Sequence, residues 1–108
     1  MGLNVSMHRV DRVVRLAPVG DLDLVSGEVL RDAIVSALAG EVDALVIDLE
    51  AVGFLDSSGI TVLVLGRQAA SERRVRYQVV GASGPVARVL EVAGVTGYLT
   101  GGSSYTGS

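Results

Sequence analysis

The chain has no cysteine and no tryptophan, and all nine of its basic residues are arginine. Without thiols there is no disulfide, no thiolate nucleophile and no cysteine-type zinc site. Without lysine there is neither a P-loop lysine nor Schiff-base chemistry. The single histidine, His8, would have to serve any Ser-His-Asp arrangement. Aromatic residues are 4% of the chain, so few rings are present on which bases or sugars can stack. The net charge is −3 and the pI about 4.9, so no basic excess answers a polyphosphate backbone, and no nucleic-acid partner is expected. No stretch approaches the ~18 to 20 apolar residues of a membrane span, and the first residues lack the basic-then-apolar order of a secretory signal. These absences lead us to expect a cytoplasmic domain that holds no cofactor or metal and does not insert into a membrane.

What is present is an aliphatic core. Apolar residues make up 49% of the 108 residues and the mean hydropathy is +0.50, which suits one domain packed by Val, Leu, Ile and Ala. Residues 3–9 and 13–19 read as two strands of a hairpin, with Val10-Asp11-Arg12 as the connection and Pro18 at an edge or strand end. A helix is predicted from about 27 to 39. Ser26 is its N-cap, Val25 and Leu30 form a hydrophobic staple, and Gly40 takes the C′ position. The run 44–49 reads as a strand covered on both faces.

Ser57-Ser58-Gly59 is a helix-start signal before Ile60–Ala70, although the β-branched residues there also suit a strand. A strand at 75–80 follows, then a helix opened by Ser83-Gly84-Pro85 and ending at Gly94, with a short final strand near Tyr98 and Leu99. The order, an N-terminal β-hairpin followed by β-α units, predicts an α/β domain with a mixed sheet and helices packed on it. Residues 1–100 form that domain, and residues 101–108, all Gly, Ser, Thr and Tyr, read as a disordered polar tail.

Chemistry concentrates in Val52-Gly53-Phe54-Leu55-Asp56-Ser57-Ser58-Gly59, which joins a strand to a helix start. Hydroxyls at a helix N-terminus lie in a field that favours negative charge, and Gly59 admits a close backbone approach. That suits a serine phosphorylated by a partner; it equally suits Asp56 or Ser57 acting only as a cap. Asp21 and Asp23 form a D-x-D pair whose carboxylates would share one face of an extended segment, available to Mg²⁺ or a basic partner, or serving only solubility and a turn. Gly81-Ala82-Ser83-Gly84 is no G-x-S-x-G elbow and matches a KH-type G-x-x-G loop in spacing alone. His8 and Glu72-Arg73-Arg74 read as surface residues, the latter in a solvated loop.

Gly20-Asp21-Leu22-Asp23, Ile47-Asp48-Leu49, Phe54-Leu55-Asp56-Ser57-Ser58-Gly59-Ile60, Ser83-Gly84-Pro85-Val86-Ala87-Arg88-Val89-Leu90 and Ala93-Gly94-Val95 together resemble the STAS domain. The likeness runs from residue 3 to about 100 and is nearest to the bacterial anti-sigma factor antagonists of the SpoIIAA type. It implies a single STAS-type domain acting as a switch with no enzymatic activity of its own. Such an antagonist binds an anti-sigma factor that is also a serine kinase, which frees the sigma factor. The kinase phosphorylates the second serine of the D-S-S-G block, here Ser58, and a PP2C-type phosphatase reverses the step. Asp21, Asp23, Asp56, Ser57, Gly59 and Ile60 fall in the implied partner-binding surface, with some of Ile60, Val62 and Val64 as an apolar patch. The chain departs from the family in having Asp21 where Glu is usual and Thr61 where Gly is frequent.

Phosphate would add about −1.5 to −2 charge, and turning 99% bound into 1% bound needs about 5.5 kcal/mol. A dianion desolvated in an interface beside Asp23 is of that order, whereas loss of one hydroxyl is not. Two other readings stand beside this one: a constitutive STAS subunit of a transporter or signalling assembly with Ser58 unmodified, and a serine-nucleophile enzyme, which lacks a base other than His8.

Overall fold

The structure, a computed structural model, describes residues 2–100. The predicted tail, 101–108, lies outside the described residues. In chain order the elements are β1 (Asn4–Val10), β2 (Val13–Leu22), α1 (Gly27–Leu38), β3 (Ala44–Asp48), β4 (Val52–Leu55), α2 (Ser57–Glu72), β5 (Arg76–Val80), α3 (Gly84–Ala93) and α4 (Thr96–Thr100). The strands run β1-β2-β3-β5, with β4 joined to the far end of β2. β1 and β2 are antiparallel, and β2–β3, β2–β4 and β3–β5 are parallel, so the sheet is mixed as expected.

Two rows across the sheet build the core. Val14, Leu45 and Tyr77 stand in register, as do Leu16, Ile47 and Val79, and all six are buried. Helices α1 and α2 supply Leu30, Ile34, Leu38, Leu63 and Ala70 to the same cluster. Burial of each large aliphatic side chain is worth roughly 1.5–3 kcal/mol. The Tyr77 hydroxyl crosses to α2 and donates to the Leu63 carbonyl at 2.8 Å. On the opposite face the register places Arg15 beside Val46 and Gln78, and Arg15 pairs with Asp48 at 2.8 Å.

Several local expectations give way to packing. Strand β4 went unpredicted because its four residues lie inside the stretch read as a loop with a helix start. β3 is fully buried only at Leu45 and Ile47; Ala44, Val46 and Asp48 are half-buried, so one face rather than both is sealed. Pro18 is neither at an edge nor at a strand end. It lies inside β2, buried, where pairing with β3 has stopped at Leu16 and pairing with β4 has not begun before Gly20, so no ladder partner needs its missing N–H. Residues 96–100 coil into α4 instead of forming a final strand.

The ends of α1 also differ from the pattern. Val25 is 81% exposed and staples nothing, and Ser26 makes no side-chain cap bond. Gly40 is not left-handed; the Leu38 carbonyl at this end accepts from Arg73 at 3.0 Å, so Arg73 is no idle loop charge. Gly94, by contrast, closes α3 in the left-handed conformation at φ 77°, as its place predicted.

Candidate functional site

β2 and β4 run parallel and side by side, with Asp21 opposite Phe54 and Leu22 opposite Leu55. Their C-terminal ends therefore release two loops at one edge of the domain, the usual location for a site in an α/β sheet. The first loop, 23–26, leads into α1; the second is the single residue Asp56, which leads into α2.

Asp56 is the cap of α2. In extended backbone geometry, its Oδ1 accepts from the N–H of Ser58 at 2.9 Å and of Gly59 at 3.2 Å. Its carbonyl accepts from the N–H of Ile60 at 3.0 Å, the first bond of the helix ladder, so its side chain satisfies two otherwise unpaired first-turn donors. The cap is Asp56 and not Ser57. The Ser58 and Gly59 N–H groups are thus already engaged by Asp56. Ser57 is exposed and Ser58 half-buried, and neither hydroxyl has a hydrogen bond among the described residues. Thr61, which stands where the family often has Gly, turns its hydroxyl back to the Ser57 carbonyl at 2.9 Å.

Gly59 is buried against β2. A methyl built on its Cα would lie 2.5 Å from Leu55 Cδ1 and 2.9 Å from the Leu22 carbonyl oxygen. Only glycine lets α2 start this close to the strand end, and the Asp56 N–H reaches the same Leu22 carbonyl at 3.2 Å. At the start of α1, a methyl on Gly27 would be 3.2 Å from Val62 Cγ2, which brings the first loop beside the second turn of α2.

The first loop is tied by Asp23 and Ser26. The Ser26 N–H donates to Asp23 Oδ1 at 2.9 Å, the Asp23 N–H donates to Ser26 Oγ at 3.0 Å, and the Gly27 N–H donates to the Asp23 carbonyl at 2.8 Å. The Ser26 hydroxyl also lies within hydrogen-bonding reach of the Asp21 carbonyl and of Asp23 Oδ1. The Ser26 backbone N–H, followed by its hydroxyl, holds the Asp23 carboxyl below the usual range. The two aspartates therefore do not present a matched pair of carboxylates: Asp21 is exposed, and Asp23 is committed to its turn. Among the described residues no three acidic, His or Cys side chains gather to hold a metal ion.

The turn holds Leu24 and Val25 outward, 74% and 81% exposed, at the same end as Phe54, which is 49% exposed. Sequence periodicity missed these residues because an apolar pair in a short loop carries no period. The patch expected on α2 is not an outward one: Ile60, Val62 and Val64 are half-buried against the core, and Leu65 is the large apolar residue of α2 that faces out.

Fold and site together define a small α/β domain that offers a serine at a helix N-terminus beside a tied, apolar-tipped loop. A family model described as "Mlab, STAS domain" matches residues 3–101, and the chain belongs to this STAS domain family. Among solved structures, it is similar to an anti-sigma factor antagonist from Mycobacterium paratuberculosis, with 30% identity, a TM-score of 0.80, and 90% of this chain and 82% of that chain covered. It is also similar to the antagonist SpoIIAA in its unphosphorylated form, with 28% identity, a TM-score of 0.74, and 88% and 84% covered. The STAS domain of a SulP transporter from Vibrio cholerae shares the fold at 22% identity and a TM-score of 0.59, with 85% and 71% covered. No curated protein sequence matches the chain. None of the described helices is long and apolar enough to cross a membrane.

Proposed function

We infer that this chain is a cytoplasmic anti-sigma factor antagonist that binds an anti-sigma factor, releases a sigma factor, and is switched off by phosphorylation of Ser58. It acts by binding and carries out no catalysis itself. The observation that carries this reading is the arrangement at α2: Asp56 consumes the N–H groups of Ser58 and Gly59 and leaves the Ser58 hydroxyl half-buried without a hydrogen bond among the described residues. The 30% identity to an anti-sigma factor antagonist supports it.

Ser57, Gly59 and Ile60 frame the modified serine, Asp56 fixes its backbone, and Asp21 and the Asp23 turn supply the acidic, apolar-tipped wall beside it. A phosphate on Ser58 would compete with the Asp56 carboxylate for the Ser58 and Gly59 N–H groups and add a charge of about −1.5 to −2 to the surface that meets the partner. The partner is an anti-sigma factor with serine kinase activity, and a PP2C-type phosphatase restores the unmodified state.

The test is intact-mass spectrometry of the chain incubated with ATP, Mg²⁺ and the anti-sigma factor kinase of its own genome, beside Ser58→Ala. One added phosphate on the wild type and none on the variant, with the complex dissolving as phosphate appears, is the expected result. A stable complex indifferent to ATP, with no phosphate, would replace this reading by a constitutive STAS subunit.

A further inference from the structure

We propose that β1 is a self-association edge through which two copies of this chain pair antiparallel about a two-fold axis at Met7. The edge strands of the sheet are treated differently: β4, paired only with β2, has α3 against it. β5, at one side, has α4 packed beside it, with Gln78 Nε2 donating to the Thr100 carbonyl at 3.3 Å. β1, at the other, pairs with no strand but β2 among the described residues, and α1 touches it from the face of the sheet.

The register says which groups are open. Asp11 and Arg12 form a two-residue connection, so Val10 and Val13 are a hydrogen-bonded pair, as are His8–Arg15, Ser6–Ala17 and Asn4–Val19. The alternate residues Val5, Met7 and Arg9 point their N–H and C=O groups outward. No backbone bond in the described part of the protein uses them.

Edges of this kind are normally blunted by Pro, Lys, inward charge, a bulge or short length. Asn4–Val10 has no Pro, no Lys and no acidic residue, its seven pairs to β2 are unbroken, and it is longer than an average strand. Met7 is 49% exposed at its centre. The one charge whose backbone faces out, Arg9, has its guanidinium drawn back to the Glu41 carbonyl at 2.6 Å.

A second copy is the occupant that fits. Antiparallel pairing about Met7 sets Met7 against Met7 of the second copy, and Val5 against Arg9 in both directions. That makes three hydrogen-bonded pairs with two bonds each, an isologous interface in which no like charges stand opposite each other. Ser6 meets His8 across the non-bonded positions. The sheet would then continue through both copies and leave the β2–β4 end, with Ser58, open on each.

Sedimentation velocity on the purified chain tests this from ~1 µM to ~1 mM, a range over which mass action displays weak dimers. The weight-average mass is expected to rise from 11.1 kDa toward twice that value, and Met7→Lys, which sets two ammonium groups face to face, to weaken the association by about fivefold. Amide hydrogen exchange gives a second reading: Val5, Met7 and Arg9 should slow about tenfold with concentration, while Ser6, His8 and Val10 stay protected throughout. A chain that remains monomeric at ~1 mM overturns the proposal, as does a dimer unaffected by a folded Met7→Lys. If Met7→Lys fails to fold, the alternating exchange pattern in the wild type decides, and protection that rises elsewhere instead overturns it.

Discussion

Gly59 and Leu22 touch at the point where α2 leaves the sheet. A side chain on Gly59 would stand 2.9 Å from the Leu22 carbonyl oxygen, an atom of a paired strand that cannot move aside. Gly59→Ala is therefore expected to destabilise the domain by about 1–3 kcal/mol through overpacking. Because the displaced element is the first turn of α2, the amide resonances of Ser57 and Ser58 should shift well beyond those of α3. A urea titration and an amide spectrum check both, and an unchanged urea midpoint contradicts the close approach.

Asp56 carries the first turn of α2. Asp56→Ala leaves the N–H groups of Ser58 and Gly59 without their acceptor and should lower stability by about 1 kcal/mol, whereas Asp56→Asn retains an acceptor oxygen and should recover most of it. The comparison is by chemical denaturation of the three proteins. Equal loss in both variants would mean that charge, not capping, is what Asp56 provides.

Acid should weaken the domain through Asp48 and Asp23. The Glu50 N–H, and then Arg15, hold the Asp48 carboxyl below its usual range, despite a partial opposing effect of burial. A carboxyl lowered on folding adds stability above its unfolded pKa of about 3.9, and that stability is lost as pH falls through the folded value. Asp48→Asn should lower stability at pH 7 by roughly 1 kcal/mol and flatten the loss below about pH 4. Asp23, lowered by Ser26, contributes a second part of the same acid limb, so the flattening is partial. Thermal melts from neutral pH downward measure it, and a variant with the wild-type acid slope would refute the assignment.

Leu24 and Val25 should matter to binding and hardly at all to folding. Both stand outward on the Asp23–Ser26 turn, so Leu24→Ser with Val25→Ser is expected to change stability by no more than about 0.5 kcal/mol. If the apolar tip meets the anti-sigma factor, the same double variant should weaken its capture at least about tenfold, read by calorimetry against the wild type. Undiminished capture would remove the loop from the interface.

Much of this architecture was legible from local pattern alone. The spacing of Leu30, Ile34, Ala37 and Leu38 marks one face of α1, Val10-Asp11-Arg12 marks the hairpin, with Val10 in fact the last residue of β1, Pro85 opens α3 and Gly94 closes it, because periodicity and turn chemistry are properties of adjacent residues. The D-S-S-G block was visible for the same reason: its hydroxyls and glycine mark a helix start in adjacent residues, although Asp56 as the cap and β4 before it were settled only by the structure.

Contacts between distant segments decided the rest. Val52–Leu55 is a strand because the far end of β2 offers it a partner, and its four residues alone show no alternation. Pro18 is tolerated in the middle of β2 because β3 and β4 part company there, a fact about three strands at once. Asp23 belongs to a turn because Ser26 answers it, and Val25 faces outward because that turn closes before α1 begins. Thr96–Thr100 coils, with Leu99 buried, where α2, α3 and β5 meet it. Local propensity is worth tenths of a kcal/mol per residue, and burial of a single large side chain is worth several times that, so packing prevails wherever the two conflict.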